Sequence, residues 1–184
     1  MKKITAYTRE DFRKWLAKYH DRELKVEVLL HKRHTGKRAP SHRELLEEAI
    51  CFGWIDTTLN RLDEDRYIRH FSRRNKNSRW SDNTLRYARE LIANGKMTEP
   101  GLAFYREGLA KPTHDHGIPK NPDMPSELKR ALSKDATAKR AFEKLAPSTK
   151  KMHYRFILRA KRPETKVKYV RQILSPLGRG LSRK

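Results

Sequence analysis

The stretch Ser41-His42-Arg43-Glu44-Leu45-Leu46-Glu47-Glu48-Ala49-Ile50-Cys51-Phe52-Gly53-Trp54-Ile55-Asp56 changes its period partway along. Leu45, Leu46, Ala49, Ile50 and Phe52 recur at three- and four-residue spacing, which lines one face of a helix. Ser41 and Glu44 form a capping box: the hydroxyl accepts from the N3 amide while the carboxylate accepts from the amide of the cap. Gly53 stops that helix, and Trp54 and Ile55 open a strand. Helix and strand therefore meet within one short segment, and the expected fold class is α+β.

Upstream, Leu24, Val26, Val28 and Leu30 alternate with Lys25, Glu27 and Leu29, the period of a half-buried strand. Before it, Phe12, Trp15, Leu16 and Tyr19 line a helix capped by Thr8 with Asp11 at N3. Downstream, 54–62 and 66–71 read as two strands joined by the acidic turn Asp63-Glu64-Asp65, a hairpin. Ser81 or Asp82 then caps a helix carrying Leu85, Ala88, Leu91 and Ile92. A further helix follows Thr98, with Pro100 in its first turn and Leu102, Tyr105 and Leu109 as its inward stripe. Residues 1–110 thus predict a small antiparallel or mixed sheet with covering helices.

Pro112, Pro119, Pro122, Pro125 and Gly117 break up 111–125, a linker by composition. Over 126–175 the apolar residues fall at helical spacing: Leu128 and Leu132, Phe142 and Leu145, a helix from Ser148 with Met152, Phe156, Ile157 and Ala160, then Val167, Val170, Ile173 and Leu174 after Pro163. Residues 176–184 read as a disordered basic tail.

The 184 residues carry 44 Lys and Arg against 22 Asp and Glu, a net charge of +22, with a mean hydropathy of −0.98. No stretch approaches the roughly 20 consecutive apolar residues of a transmembrane helix. Cys51, the single cysteine, closes no intramolecular disulfide, and the first residues lack the apolar core of a secretory signal; the expected compartment is the cytoplasm. From Ser126 onward eighteen basic residues stand against four acidic ones, a field that attracts polyanions, whether nucleic acid or an acidic protein.

Two candidate polyanion-binding sets follow. Between positions 66 and 89, Arg66, Arg69, Arg79 and Arg86 interleave with Tyr67, Phe71, Trp80 and Tyr87, a mixture suited to phosphate contact and base stacking. The same rings also suit the core of a hairpin and the following helix. The second set is Lys150, Lys151, Arg155, Arg159, Lys161 and Arg162 on the basic helices. A candidate pocket gathers Asp56, Arg73, Arg74, Ser78, Trp80, Ser81 and Asn83, polar and aromatic residues grouped around the hairpin. His114 and His116 flank Asp115, but only Asp123 is at hand as a further ligand, so neither metal nor cofactor is expected. Nucleotide-binding loops, nucleophile elbows and zinc-spaced Cys/His sets are missing, and no catalytic residue is assigned.

The run 48–56, then Phe71-Ser72-Arg73-Arg74, Ser78-Arg79-Trp80-Ser81 with Asn83, Gly95-Lys96-Met97-Thr98, and, further on, Leu145-Ala146-Pro147-Ser148, Tyr154, Ala160-Lys161 and Glu164-Thr165 resemble the YdeI or OmpD-associated family, also called the bacteriocin-protection family. The resemblance spans about 12–174, with Arg73 where proline is expected and Thr57 where glycine is common. It implies a role in protection against bacteriocins and cationic antimicrobial peptides and an envelope-related protein partner, without a settled enzymatic activity. A cationic chain repels cationic peptides, so an indirect role fits the charge better than direct capture. The expected function is a non-enzymatic cytoplasmic accessory or binding protein in envelope or antimicrobial-peptide stress. The alternatives are nucleic-acid binding through 66–89 and the basic helices, and an enzyme with a pocket around Asp56 and Trp80.

Overall fold

A computed structural model describes residues 1–178 and divides the chain into two units, Met1–Thr113 and the residues from His114 onward. The first unit is built on a four-stranded mixed sheet in the order β1-β2-β4-β3, with β1 Lys2–Thr5, β2 Lys25–His31, β3 Trp54–Arg61 and β4 Arg66–Arg73. Strand β1 runs parallel to β2, and α1 (Arg9–Tyr19) makes the crossover between them; the other pairings are antiparallel. Helix α2 (His42–Cys51) follows a short 3-10 turn at Arg33–Thr35, and α3 (Asp82–Ala93) and α4 (Glu99–Leu109) follow the hairpin.

Residues opposite one another in the ladder share a face. Val26 pairs with Phe71 and Asp56 with Phe71, so Val26, Val28, Leu30, Trp54, Asp56, Arg69 and Phe71 look toward the helices. The Phe12 ring of α1 meets Phe71 with centroids 4.8 Å apart, and Trp15 meets Trp54 edge-on at 5.6 Å. A register shift between Asp56 and Leu59 turns the outer end of β3 to solvent. Capping boxes start α1 at Thr8 and α2 at Ser41, as their spacing predicts, and of the two expected caps of α3 it is Ser81 that forms one, with Thr84.

Helix α4 departs from its expected stripe. Leu109 is exposed, while Gly101 and Gly108 are buried and Phe104 and Tyr105 pack partly against the core. The inward face is therefore 101, 104, 105 and 108, and glycine lets the helix come in close. A Cβ at Gly108 would stand 2.1 Å from Trp80 Nε1, and one at Gly101 would stand 2.1 Å from the Cys51 carbonyl oxygen. Gly53, at φ +73°, makes the left-handed turn that ends α2.

The second unit packs α5 (Ser126–Ser133), α6 (Ala136–Glu143), α7 (Pro147–Leu158) and α8 (Pro163–Gly178) around Leu128, Leu132, Phe142, Ile157, Val170 and Ile173. Asp135 caps α6 by accepting from the Ala138 amide at 2.8 Å. Met152 and Val167, expected inside, are exposed. The last helix continues beyond the expected boundary, through Ser175 and Pro176, because Leu177 finds a buried place in the same core; only 179–184 of the predicted tail lie outside the described residues. The Pro-rich segment carries no helix or strand, and from His114 on it belongs to this second unit with Pro122 and Pro125 buried. Among the described residues no helix is long and apolar enough to cross a membrane.

Candidate functional site

The expected pocket is only partly assembled. Asp56, on the helix-covered face of β3, accepts from Arg69 Nη1 at 3.3 Å and lies 2.9 Å from His42 Nε2 at the start of α2. Arg74, just past β4, is 3 % exposed, and its guanidinium stacks on the Trp80 ring. Its Nη1 donates to the Arg79 carbonyl at 3.4 Å, whereas Nε and Nη2 find no partner among the described residues. Burial pushes the Arg74 pKa down to about 10, against the opposing pull of the Asp56 charge. Trp80 is core: Tyr105 meets it edge-on at 5.9 Å and Gly108 closes against its indole nitrogen.

The other members point to separate structural duties. Arg73 Nη1 donates to the Asp21 carbonyl at 2.8 Å, and Ser78 Oγ accepts from the Asn75 amide in a turn. Ser81 caps α3, and Asn83 sits exposed in its first turn. Asp56, Arg74 and Trp80 thus come together, and the rest do not.

A second polar cluster went unread in the sequence. Glu48 is 2 % exposed on α2, held by Arg9 and Arg13 from successive turns of α1. Arg9 Nε donates to Oε1 at 2.9 Å and Arg13 Nη1 to Oε2 at 2.6 Å. The signal was present: Glu48 stands three residues after Leu45, on the apolar side of its helix, where a carboxylate requires a buried partner. Burial, with the Glu48 charge beside it, pushes the Cys51 thiol up to about 11, so the thiol stays protonated and unreactive at neutral pH.

The Arg/aromatic set does not offer stacking platforms. Phe71 and Trp80 are buried, Tyr67 is half-buried against the core, and Tyr87 lies between Arg43 and Arg86, each 4.9 Å from its centroid. Arg66 is paired with Asp63, Arg69 with Asp56 and Arg86 with Glu90; Arg79 is exposed and has no side-chain partner among the described residues.

On α7 the basic side chains hold the preceding segment. Arg159 Nε donates to Asp115 at 2.7 Å, Arg155 Nη2 to the Lys120 carbonyl at 2.5 Å, Lys151 Nζ to Asn121 Oδ1 at 2.7 Å and Lys150 Nζ to the Glu143 carbonyl at 2.7 Å. The Arg159 bond holds the Asp115 carboxyl below the usual carboxylate range. Lys161 and Arg162, by contrast, are exposed and pair with no carboxylate among the described residues. Among the described residues no three His, Cys, Asp or Glu side chains converge as a metal site would require.

Comparison with known families separates the two units. Residues 121–180 match the family described as Bacteriocin-protection, YdeI or OmpD-Associated, so the similarity read from the sequence holds over the helical unit rather than over nearly the full length. No curated protein and no solved structure matches the chain. The motif stretches 48–56, 71–83 and 95–98 fall instead within residues 4–104, more than half of the chain, which match the family described as Domain of unknown function (DUF8412), and to that family the chain belongs.

Proposed function

We propose that the chain is a non-enzymatic accessory protein of the bacteriocin-protection type, acting by binding an acidic partner through its helical unit. One observation carries this reading. Lys129, Lys139, Arg140, Lys144, Lys161 and Arg162 are exposed on that unit, and among the described residues none of them pairs with a carboxylate. Charges left without partners raise the local concentration of an anionic ligand and its on-rate.

The polar groups of the first unit support a binding role over catalysis. Glu48 is locked by two arginines, Asp56 is engaged by Arg69 and His42, and the Cys51 thiol is buried and protonated. A single free thiol suits a reducing compartment, and the same reading keeps the protein in the cytoplasm. Nucleic-acid binding through 66–89 fares less well, since Phe71 and Trp80 are spent on the core.

The test is fluorescence anisotropy of labelled polyglutamate, duplex DNA and single-stranded RNA across a salt series, paired with survival of a strain lacking the chain under bacteriocin challenge. Binding that persists near 150 mM salt, together with survival restored by the native chain and not by a Lys129→Glu, Lys139→Glu, Lys161→Glu variant, is the expected result. Native-chain expression without effect on survival would sink the protective role. Anion binding lost entirely at physiological salt would leave only a nonspecific field.

A further inference from the structure

Between α5 and α8 the helical unit has an open groove with a volume of about 810 Å³. Its floor is Ala131 with Val167, Val170 and Leu174, the last three at i, i+3 and i+7 along α8. Val167 is 42 % exposed, an apolar side chain left uncovered at the N-terminal end of that row. Arg130 of α5 and Lys134 at that helix's C-cap, one turn apart, form one wall, and Arg171 of α8 stands on the other. None of these three cations has a side-chain partner among the described residues. The acids nearby are already engaged: Glu127 pairs with Lys166 at 3.2 Å, and Asp135 accepts from the Ala138 amide as the cap of α6.

We propose that this groove docks an acidic amphipathic helix of a partner protein, an assignment that rests on the cationic binding role above and names the partner's chemistry. A row of apolar residues flanked on both sides by unpaired cations is the complement of a helix with one apolar stripe bordered by Asp and Glu. The eight residues of α5 extend about 12 Å at 1.5 Å each, so the groove spans roughly two turns of such a helix. A nucleic acid has less use for it, because among the described residues no aromatic ring lines the groove to stack a base. Anionic lipid is a poorer match as well, since a concave trough flanked by helices offers a bilayer no continuous apolar face.

The experiment uses the full chain at 150 mM salt with a synthetic 16-residue helical peptide, Leu at i, i+3, i+4 and i+7 and Glu on its flanks. A scrambled peptide of the same composition, duplex DNA and phosphatidylglycerol vesicles are the comparison ligands. The patterned peptide should bind at least tenfold more tightly than the scrambled one. Val167→Asp, at an exposed position that leaves the fold unchanged by circular dichroism, should abolish that preference. Arg130→Glu with Arg171→Glu should weaken the patterned peptide at least tenfold, and Arg66→Glu in the first unit should not. Equal binding of the two peptides, or preference surviving Val167→Asp, overturns the groove assignment while anion binding itself still stands. Preferential binding of DNA or vesicles through Arg130 and Arg171 overturns it in the same way. Self-association of the chain alone that Val167→Asp abolishes makes a second copy the occupant and overturns it too. Failure to bind any of the anions defeats the cationic role and the groove together.

Discussion

The guanidinium carbon of Arg74 lies 3.7 Å from the centroid of the Trp80 ring, and both side chains are almost wholly buried. The stack recovers some of the cost of desolvating the charge, about 2 kcal/mol for a buried cation over tryptophan. Against it stand the Nε and Nη2 donors without acceptors, and an unmade buried hydrogen bond costs roughly 1–3 kcal/mol. Two such donors together cost about 2–6 kcal/mol, as much as the stack returns or more, so Arg74→Met, which keeps the stem and discards the donors, should leave stability unchanged or raise it. Trp80→Ala, which empties the site, should cost about 3–5 kcal/mol. Urea unfolding midpoints measure both, and a loss above about 2 kcal/mol for Arg74→Met would show that the guanidinium is held by more than Trp80 and the Arg79 carbonyl.

Glu48 gives the opposite result. Its two oxygens are held by Arg9 and Arg13, so truncation takes the buried carboxylate from two guanidinium groups, of which Arg9 keeps Glu47 at 3.5 Å and Arg13 stays partly exposed. Glu48→Ala should destabilise by about 1–3 kcal/mol, the cost of losing charge-assisted bonds whose cations keep other contacts. Paired with Arg13→Ala in a double-mutant cycle, the two losses should couple by more than about 1 kcal/mol, and additive losses would mean that the contact contributes nothing of its own.

These clusters mark the limit of what the residues reveal unaided. Period and capping located α2, the turn at Gly53 and the hairpin, because each rests on local chemistry a few residues long. Strand β1 escaped: its four residues hold only Ile4 as an apolar member, too few to show a period, and its pairing with β2 depends on a crossover. The face of α4 was misread because glycines carry no hydrophobic signal, although Gly101 and Gly108 are what let it approach Cys51 and Trp80. Of the candidate site, Asp56 and Trp80 stood out by residue type, yet the inward turn of Arg74 depends on where β4 ends, which lies beyond any local pattern. The α7 arginines were read as a free surface because their partners, Asp115 and the Lys120 carbonyl, lie 35 to 44 positions away.

Gly108→Ala sets helix propensity against packing. Gly108 stands in the last turn of α4, where alanine in place of glycine gains at most about 1 kcal/mol. The added methyl would lie 2.1 Å from Trp80 Nε1, and overpacking of that kind costs typically 1–3 kcal/mol. Because the indole is fixed by Tyr105 and Arg74, packing should win. The variant should be less stable than the native chain, with Trp80 emission shifted to the red. A stabilised variant with unchanged emission would mean that α4 slides outward at little cost.

Asp115 ties the stability of the second unit to pH. Arg159 donates to it at 2.7 Å and Arg155 adds its charge at 3.8 Å, which together hold its carboxyl below the ordinary value near 3.9. Because folding lowers this pKa, the stabilisation is whole above about pH 4 and drains away as the pH falls through the lower folded value. Asp115→Asn should therefore weaken the hold on 114–125 at pH 7, by about 1 kcal/mol for a charge-assisted bond that water still reaches, and flatten the acid limb of the stability curve. Limited proteolysis reads the effect where it occurs. The native chain should resist cleavage at Lys120 at pH 7, while Asp115→Asn and Arg159→Ala should both be cut there faster, to a similar degree. Cleavage at Lys120 as slow in both variants as in the native chain would show that the buried prolines Pro122 and Pro125, rather than the ion pair, hold the segment down.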